Sequence, residues 1–284
     1  MSARIAVACV LATVGVTASA QEEGRLKAAP TPEKTSVRAL VEQARAQSGS
    51  GNAPAALHLL GRARSLAPNS EEVLSAYAQV SLAARQPVQA IDVLDPLTRI
   101  CPTVAQYHYF LGVAYLQVSG MEQAVVALRE ADRLEPNRVT TLVALGLALN
   151  SRKMHADAEP YLRRALASEP DNPDVLAALA ETEDALGDTA QAEAHATRAL
   201  AQSPELATAH FVVGLIRMKQ GRYAEARDAL LRAIAAQPDM TRAHYQVSLA
   251  FSRLGDEESA AKHVEIYQQK LRELEAALKK VRGQ

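Results

Sequence analysis

"AQYHYFLGVAYLQVSGMEQAVVALREADRLEP" (residues 105–136) is the stretch that decides the fold. Its apolar residues recur every three or four positions, as Leu111 and Tyr115 do, and this is the period of one buried face of an α-helix. The dipeptide Ser-Gly at 119–120 interrupts the period, which then resumes until Pro136, a residue that cannot continue a helix. The stretch therefore predicts two consecutive helices joined by a tight turn.

The same unit recurs along the chain with a period of 34 residues and without insertion or deletion. The prolines that close the blocks are Pro68, Pro102, Pro136, Pro170, Pro204 and Pro238. The twentieth position is always alanine, at Ala56, Ala90, Ala124, Ala158, Ala192, Ala226 and Ala260. A glycine breaks the middle of five blocks, at Gly51, Gly120, Gly187, Gly221 and Gly255. Each block is therefore expected to be a pair of antiparallel helices, and the proline makes the chain turn before the next pair.

The packing inside each pair can also be inferred from the repeat. The eighth position is always small, at Ala44, Ala78, Gly112, Gly146, Ala180, Gly214 and Ser248. The twenty-fourth position is large in most blocks, as at Leu128 and Leu162. Where two helices cross, a small residue lets the backbones approach, and a large one fills the space around that contact.

This pattern resembles the tetratricopeptide repeat. Block three carries the resemblance best, with Leu111, Gly112, Tyr115, Ala124, Leu128, Ala131 and Pro136. The resemblance covers residues 37–274 as seven repeats, at 37–70, 71–104, 105–138, 139–172, 173–206, 207–240 and 241–274. It implies an all-α fold, a right-handed α-α superhelical solenoid in which the first helix of each repeat lines the concave side. Residues 275–284 are expected to be the end of a long C-terminal helix that caps the last apolar face.

The N-terminal residues have the pattern of a secretory signal peptide. Residues 1–20 combine a positive charge at Arg4, an apolar run and a small-x-small ending, so we expect cleavage after Ala20 and a periplasmic or secreted product. The alternatives are an uncleaved anchor or lipid-modified form, and a cytoplasmic protein. The apolar run is too short to span a bilayer comfortably. Residues 21–36 are polar with two prolines and are expected to be a flexible lead-in, so that the fold begins near Val37.

The resemblance further implies which residues face the concave groove, because positions 2, 5, 9, 12 and 13 of a repeat commonly point into it, and positions 5, 9 and 12 can be compared residue by residue. In four of the repeats these positions are largely apolar. The resulting candidate residues are Tyr109, Val113, Leu116, Val143, Leu147, Phe211, Leu215, Tyr245 and Leu249. An apolar stripe exposed in a groove usually marks a site for a protein partner, here an amphipathic helix or an extended apolar segment. The alternative is that these residues pack on each other or on the lead-in.

Repeat five is acidic where repeats three, four, six and seven are largely apolar. Its candidate groove residues are Asp174, Glu181 and Asp184. Three interpretations remain open: a solvated polar face, a receptor for a basic residue of a ligand, and a site for a divalent cation. Family members that clamp a terminal carboxylate carry Lys and Asn at positions 5 and 9, and this chain has neither type there.

The sequence gives no indication of an enzyme, a cofactor or a nucleic-acid partner. The formal net charge is −1, whereas binding to nucleic acid needs a basic excess. None of the phosphate-binding, hydrolase or metalloprotease motifs is present in the sequence. His108, His210 and His244 all occupy position 4, where a partly buried structural role is expected. Cys101 is expected to be a semi-buried thiol, with an intermolecular disulfide as the alternative.

Two functions therefore compete. The first is a non-catalytic scaffold of the extracytoplasmic space that binds a peptide or helix segment in its groove. The second is a structural protein that assembles with copies of itself through its C-terminal helix, on which Leu271, Leu274 and Leu278 form a periodic apolar stripe. A repeat scaffold does not by itself identify the partner.

Overall fold

The structure is a computed structural model that describes residues 32–283. The predicted signal peptide, residues 1–20, and residues 21–31 of the predicted lead-in lie outside the described residues. Over the described part of the chain the secondary structure consists of fourteen α-helices without a strand, so the predicted all-α class is confirmed. Over residues 32–283, no helix has both the length and the apolar character that crossing a membrane requires.

The helices follow one another in pairs, one pair to each predicted block. They are α1 (Pro32–Gly49), α2 (Ala53–Leu66), α3 (Glu71–Ala83), α4 (Pro87–Ile100), α5 (Ala105–Gln117), α6 (Met121–Leu134), α7 (Val139–Ser151), α8 (His155–Ser168), α9 (Pro173–Leu186), α10 (Thr189–Gln202), α11 (Ala207–Lys219), α12 (Tyr223–Ala236), α13 (Thr241–Arg253) and α14 (Glu257–Arg282). The odd-numbered helix is the first of its repeat and the even-numbered helix is the second. Helix α1 begins at Pro32 rather than near Val37, so residues 32–36 are helical although they were predicted to belong to the lead-in.

The described chain divides into two compact units, one ending at Tyr107 and the other beginning at His108. In the first unit, helices α1 to α3 bury an apolar cluster that includes Val41, Leu60 and Val73. A part-buried ion pair between Arg64 and Asp92 joins α2 to α4. Repeats one and two thus contact each other through both apolar and polar side chains.

In the second unit the small residues at position 8 bring the two helices of a repeat together, as predicted. A Cβ built on Gly112 would lie 2.5 Å from Cγ of Leu128 at position 24, and Gly146 stands in the same relation to Leu162. In repeat five both positions are alanine, and these two residues, Ala180 and Ala196, are buried in one cluster. In these repeats of the second unit a glycine at position 8 therefore faces a leucine at position 24, and an alanine faces an alanine.

The turn between the two helices of a repeat has the same backbone form in all seven repeats. The fifteenth position has a positive φ each time, at Gly51, Arg85, Ser119, Lys153, Gly187, Gly221 and Gly255. In repeat three the left-handed residue is Ser119, and Gly120, which follows it in the turn, has a φ of −80°. The repeat, more than the presence of a glycine, determines where the left-handed residue occurs, although a non-glycine residue there is strained.

The last repeat ends in a helix of 26 residues, about twice the length of the other second helices. Its start is fixed to α13 by a contact between His244 and His263, whose Nδ1 atoms are 3.0 Å apart. The Nε2 atom of His244 donates to the carbonyl oxygen of Pro238 at 3.2 Å, so in the neutral pair its Nδ1 accepts from His263. Burial lowers the pKa of both imidazoles, which keeps the pair neutral near pH 7.

Candidate functional site

The candidate groove residues lie on first helices of the second unit, where α7 contacts α9, α9 contacts α11, and α11 contacts α13. Eight of the nine candidates retain accessible surface. Tyr109, Val113, Leu116, Val143, Leu147 and Leu215 are half-buried, whereas Tyr245 and Leu249 are exposed. Only Phe211 is fully enclosed, with 3% of its surface exposed. Most of the predicted stripe therefore remains reachable by a ligand.

Repeats three and four form an apolar part of this surface. Tyr109, Leu116 and Leu147 pack against one core cluster while keeping part of each side chain open. The guanidinium of Arg138 lies 5.5 Å from the centre of the Tyr109 ring, a cation–π distance. Burial raises the pKa of the Tyr109 phenol, which therefore stays neutral at any physiological pH.

Repeats five to seven are joined across the same surface by a polar clamp. The side chain of Arg242, in repeat seven, reaches Glu181 in repeat five, with N–O distances of 2.6 and 3.1 Å. The guanidinium of Arg242 also lies over Phe211 in repeat six, 4.8 Å from the centre of its ring. Burial would lower the pKa of Arg242, but the Glu181 carboxylate more than offsets it, and the pKa is raised. We call these three residues the Glu181 clamp.

The other acidic candidates differ from one another. Asp184 accepts a hydrogen bond from Thr189 at 3.2 Å and pairs with Lys219, whose Nζ is 2.8 Å from Oδ2. Both Asp184 and Glu181 are thus buried carboxylates with a cationic partner supplied by the protein. Asp174 is half-buried, and burial raises the pKa of its carboxyl. Two of the three acidic side chains of repeat five are therefore neutralised by basic side chains of the same protein.

Arg242 and Lys219 were missed by the sequence reasoning. They occupy positions 2 and 13 of their repeats, and the resemblance places those positions at the groove as well. A comparison of charges between positions 2, 9, 12 and 13 of successive repeats could have found them. Glu181 and Arg242 are 61 residues apart in the sequence, so no local sequence pattern indicates that they form a pair.

Repeat seven has the most exposed aromatic of the surface. Tyr245 is 42% exposed, and its ring centre lies 5.2 Å from that of Tyr267 on α14. Leu249, 38% exposed, lines an open cleft of about 400 Å³ between α13 and α14, together with Val264 and Gln268. The C-terminal helix therefore contributes to the surface at this end.

The histidines at position 4 have structural contacts. His210 Nε2 donates to the carbonyl oxygen of Pro204 at 2.8 Å, and His244 makes the equivalent contact with Pro238. Each histidine thereby fixes the start of a first helix to the proline turn before it. Over residues 32–283 no group of three His, Cys, Asp or Glu side chains is arranged to hold a metal ion. Cys101 is a half-buried free thiol.

Paired helices on a 34-residue period, with small residues at the crossing and a left-handed turn, define a helical repeat protein. The chain belongs to the tetratricopeptide repeat family. Sequence models of this family match residues 48–114, 139–182, 177–241 and 214–273. Among curated proteins, none matches the chain.

Solved structures agree on the fold. A tetratricopeptide repeat protein from Parabacteroides merdae ATCC 43184 is 13% identical, with 87% of this chain and 99% of that one covered at a TM-score of 0.69. The Cut9–Hcn1 hetero-tetramer of the APC/C contains a chain that is 17% identical, with coverages of 86% and 48% and a TM-score of 0.61. PilF of Pseudomonas aeruginosa is 18% identical, with coverages of 73% and 95% and a TM-score of 0.55. At these identities the likeness shows the fold alone.

Proposed function

We propose that this protein is a non-catalytic scaffold that binds an apolar or amphipathic segment of a partner protein on the first helices of its repeats. Tetratricopeptide repeats generally mediate protein–protein interactions, which supports the class. The observation that carries the proposal is the apolar surface of repeats three and four, where Tyr109, Leu116 and Leu147 rest on the core yet remain accessible. Apolar surface of this kind, held in a fixed geometry, suits a helix or extended peptide.

The tyrosines are the proposed anchors. An aromatic ring provides a large contact area with little loss of rotamer freedom, and the hydroxyl group of tyrosine can stay hydrated at the edge of an interface. Tyr109 and Tyr245 are accessible, whereas Phe211 supports the surface from within. The acidic residues Glu181 and Asp184 are proposed to shape the surface, because both carboxylates already have cationic partners.

We further propose that the protein acts in the extracytoplasmic space, with a signal peptide cleaved after Ala20. The support is the charge and apolar pattern of residues 1–20. N-terminal sequencing of protein recovered from the extracytoplasmic fraction would test this directly. A mature chain beginning at Gln21 is expected, and an intact N-terminus in the cytoplasmic fraction would refute it.

The binding proposal is tested by affinity capture from the extracytoplasmic fraction with wild-type protein and the Tyr109→Ala/Tyr245→Ala variant. Anchoring aromatics contribute about 1–3 kcal/mol each, so recovery of a true partner should fall by at least about tenfold. Val126→Ala is the matched control, because Val126 is an exposed apolar residue on the second helix of repeat three. Circular dichroism must show all three proteins equally helical. Equal recovery of the same proteins by the wild type and both variants would refute the assignment of Tyr109 and Tyr245 to the binding surface.

A further inference from the structure

The C-terminal helix does more than cover the end of repeat seven, because it reaches back to repeat three. A Cβ built on Gly120 would lie 3.4 Å from Cδ1 of Leu278. Gly120 is buried at the turn between α5 and α6, and Leu278 is in the last turns of α14. A helix of 26 residues is about 39 Å long, which is enough to bridge distant repeats within the second unit.

The contacts of α14 with Tyr245 and with Gly120 both fall on one apolar stripe of the helix. Its members are Tyr267, Leu271, Leu274 and Leu278, spaced as i, i+4, i+7 and i+11, and all four are half-buried. Residues between them, such as Arg272, Glu275 and Ala276, are exposed. The stripe therefore faces the protein from the Tyr245 contact at one end to the Gly120 contact at the other.

A simple capping role does not explain the second contact. A cap needs to cover only the apolar face that repeat seven leaves open, and Tyr267 with its neighbours does so. Repeat three is followed by repeat four, whose first helix α7 packs on α6, so repeat three is not the last repeat that a cap must cover. The contact of Leu278 with repeat three instead places the helix beside the end of α5, which carries the candidate residue Leu116.

We propose that residues 267–281 of α14 occupy the edge of the binding surface beside the end of α5, and that the partner is an amphipathic helix with the same apolar spacing. This proposal rests on the proposed function. The partner helix displaces the end of α14 from repeat three and takes its place. Because the occupant is tethered, it competes at an effective concentration of about a millimolar, which lowers the apparent affinity for any partner. The exchange thus selects partners whose stripe binds better than that of α14.

The first test asks whether the contact holds in solution, by amide hydrogen exchange on the whole protein. Leu278→Glu places a charge in the stripe, whereas Ala276→Glu adds the same residue to the exposed face of the same helix. Leu278→Glu should accelerate exchange at least about tenfold both in residues 271–281 and in the turn at 117–121. Ala276→Glu should leave both segments as in the wild type. Unchanged exchange at 117–121 in Leu278→Glu would overturn the proposal.

The second test asks whether the surface is blocked, with a fluorescein-labelled peptide of residues 267–281 ("YQQKLRELEAALKKV") added to each protein. Removal of a tethered competitor should make the peptide bind Leu278→Glu about tenfold more tightly than wild type or Ala276→Glu. Equal affinity for all three proteins would overturn the proposal. Light scattering adds a third outcome: a wild-type dimer that Leu278→Glu dissociates would place α14 on a second copy, which also overturns an internal occupant.

Failure of this inference can be told from failure of the proposed function. If the peptide binds all three proteins equally while Tyr109→Ala/Tyr245→Ala still loses the captured partner, the surface binds a partner but α14 does not block it. If Tyr109→Ala/Tyr245→Ala captures the partner as well as the wild type does, the proposed function fails, because the partner does not bind at this surface.

Discussion

Repeats three and four and repeats five to seven use the same helix positions for different purposes. At position 5, Tyr109 lies half-open beneath Arg138, whereas Phe211 is enclosed beneath Arg242. At position 9, Leu147 is apolar and accessible, whereas Glu181 is buried in an ion pair. Position within a repeat sets the direction of a side chain, but residues one or two repeats away decide whether a ligand can reach it.

The largest expected loss of stability comes from substituting Phe211, the enclosed residue at position 5. Phe211→Ala should lower the free energy of unfolding by about 3–5 kcal/mol, because it removes a ring from a core cluster that includes Leu230 and Val247. Tyr245→Ala, at the same position of the next repeat, should have a much smaller effect, since its ring is 42% exposed. Urea denaturation followed by circular dichroism measures both. Similar losses for the two variants would show that the enclosure of Phe211 does not hold in solution.

The helix crossing gives a second test, between repeats four and five. Gly146→Ala puts a Cβ 2.5 Å from Cδ2 of Leu162, so it should destabilise the protein by about 1–3 kcal/mol. In a Leu162→Ala background the same change recreates the alanine pair of repeat five, Ala180 with Ala196. There it should become neutral or stabilising by about 0.5–1 kcal/mol, because alanine is the better helix former. The free energy of unfolding of all four proteins of the cycle checks this, and additive effects would contradict it.

Disrupting the Glu181 clamp should have the next largest effect on stability. Glu181→Gln keeps the shape and removes the charge that Arg242 meets, and should cost about 1–2 kcal/mol of stability. The loss should stay below that of a fully buried pair, because the Arg242 side chain is 45% exposed and can be hydrated. Glu130→Gln is the control, since it breaks an exposed pair with Arg133 and no measurable change is expected. A loss as large in the control would mean that the clamp has no special role.

These contrasts explain how far the sequence could predict the molecule. The helix pairs follow from local signals, such as the 3.6-residue period and the prolines, and each pair was found in the structure. The accessibility of Phe211 was not predictable from its own repeat, because the arginine that lies over it comes from repeat seven. The contact of Leu278 with Gly120 depends on where a long helix ends in space, and no spacing in the sequence encodes that. The left-handed backbone of Ser119 was likewise not predictable from its residue type, because serine rarely adopts it.

The turns supply the smallest and most local test, again between repeats four and five. Lys153 and Gly187 occupy the same position with φ values of 61° and 97°. Lys153→Gly should stabilise the protein by about 0.5–1 kcal/mol, because glycine adopts a left-handed backbone without the steric cost that a Cβ brings. Gly187→Lys should destabilise it by a comparable amount. Chemical denaturation of the two single variants and of the combined exchange decides the matter. Two changes of opposite sign that nearly cancel in the combination would show that the turn geometry belongs to the repeat, whereas two losses would show that each turn is adapted to its own residue.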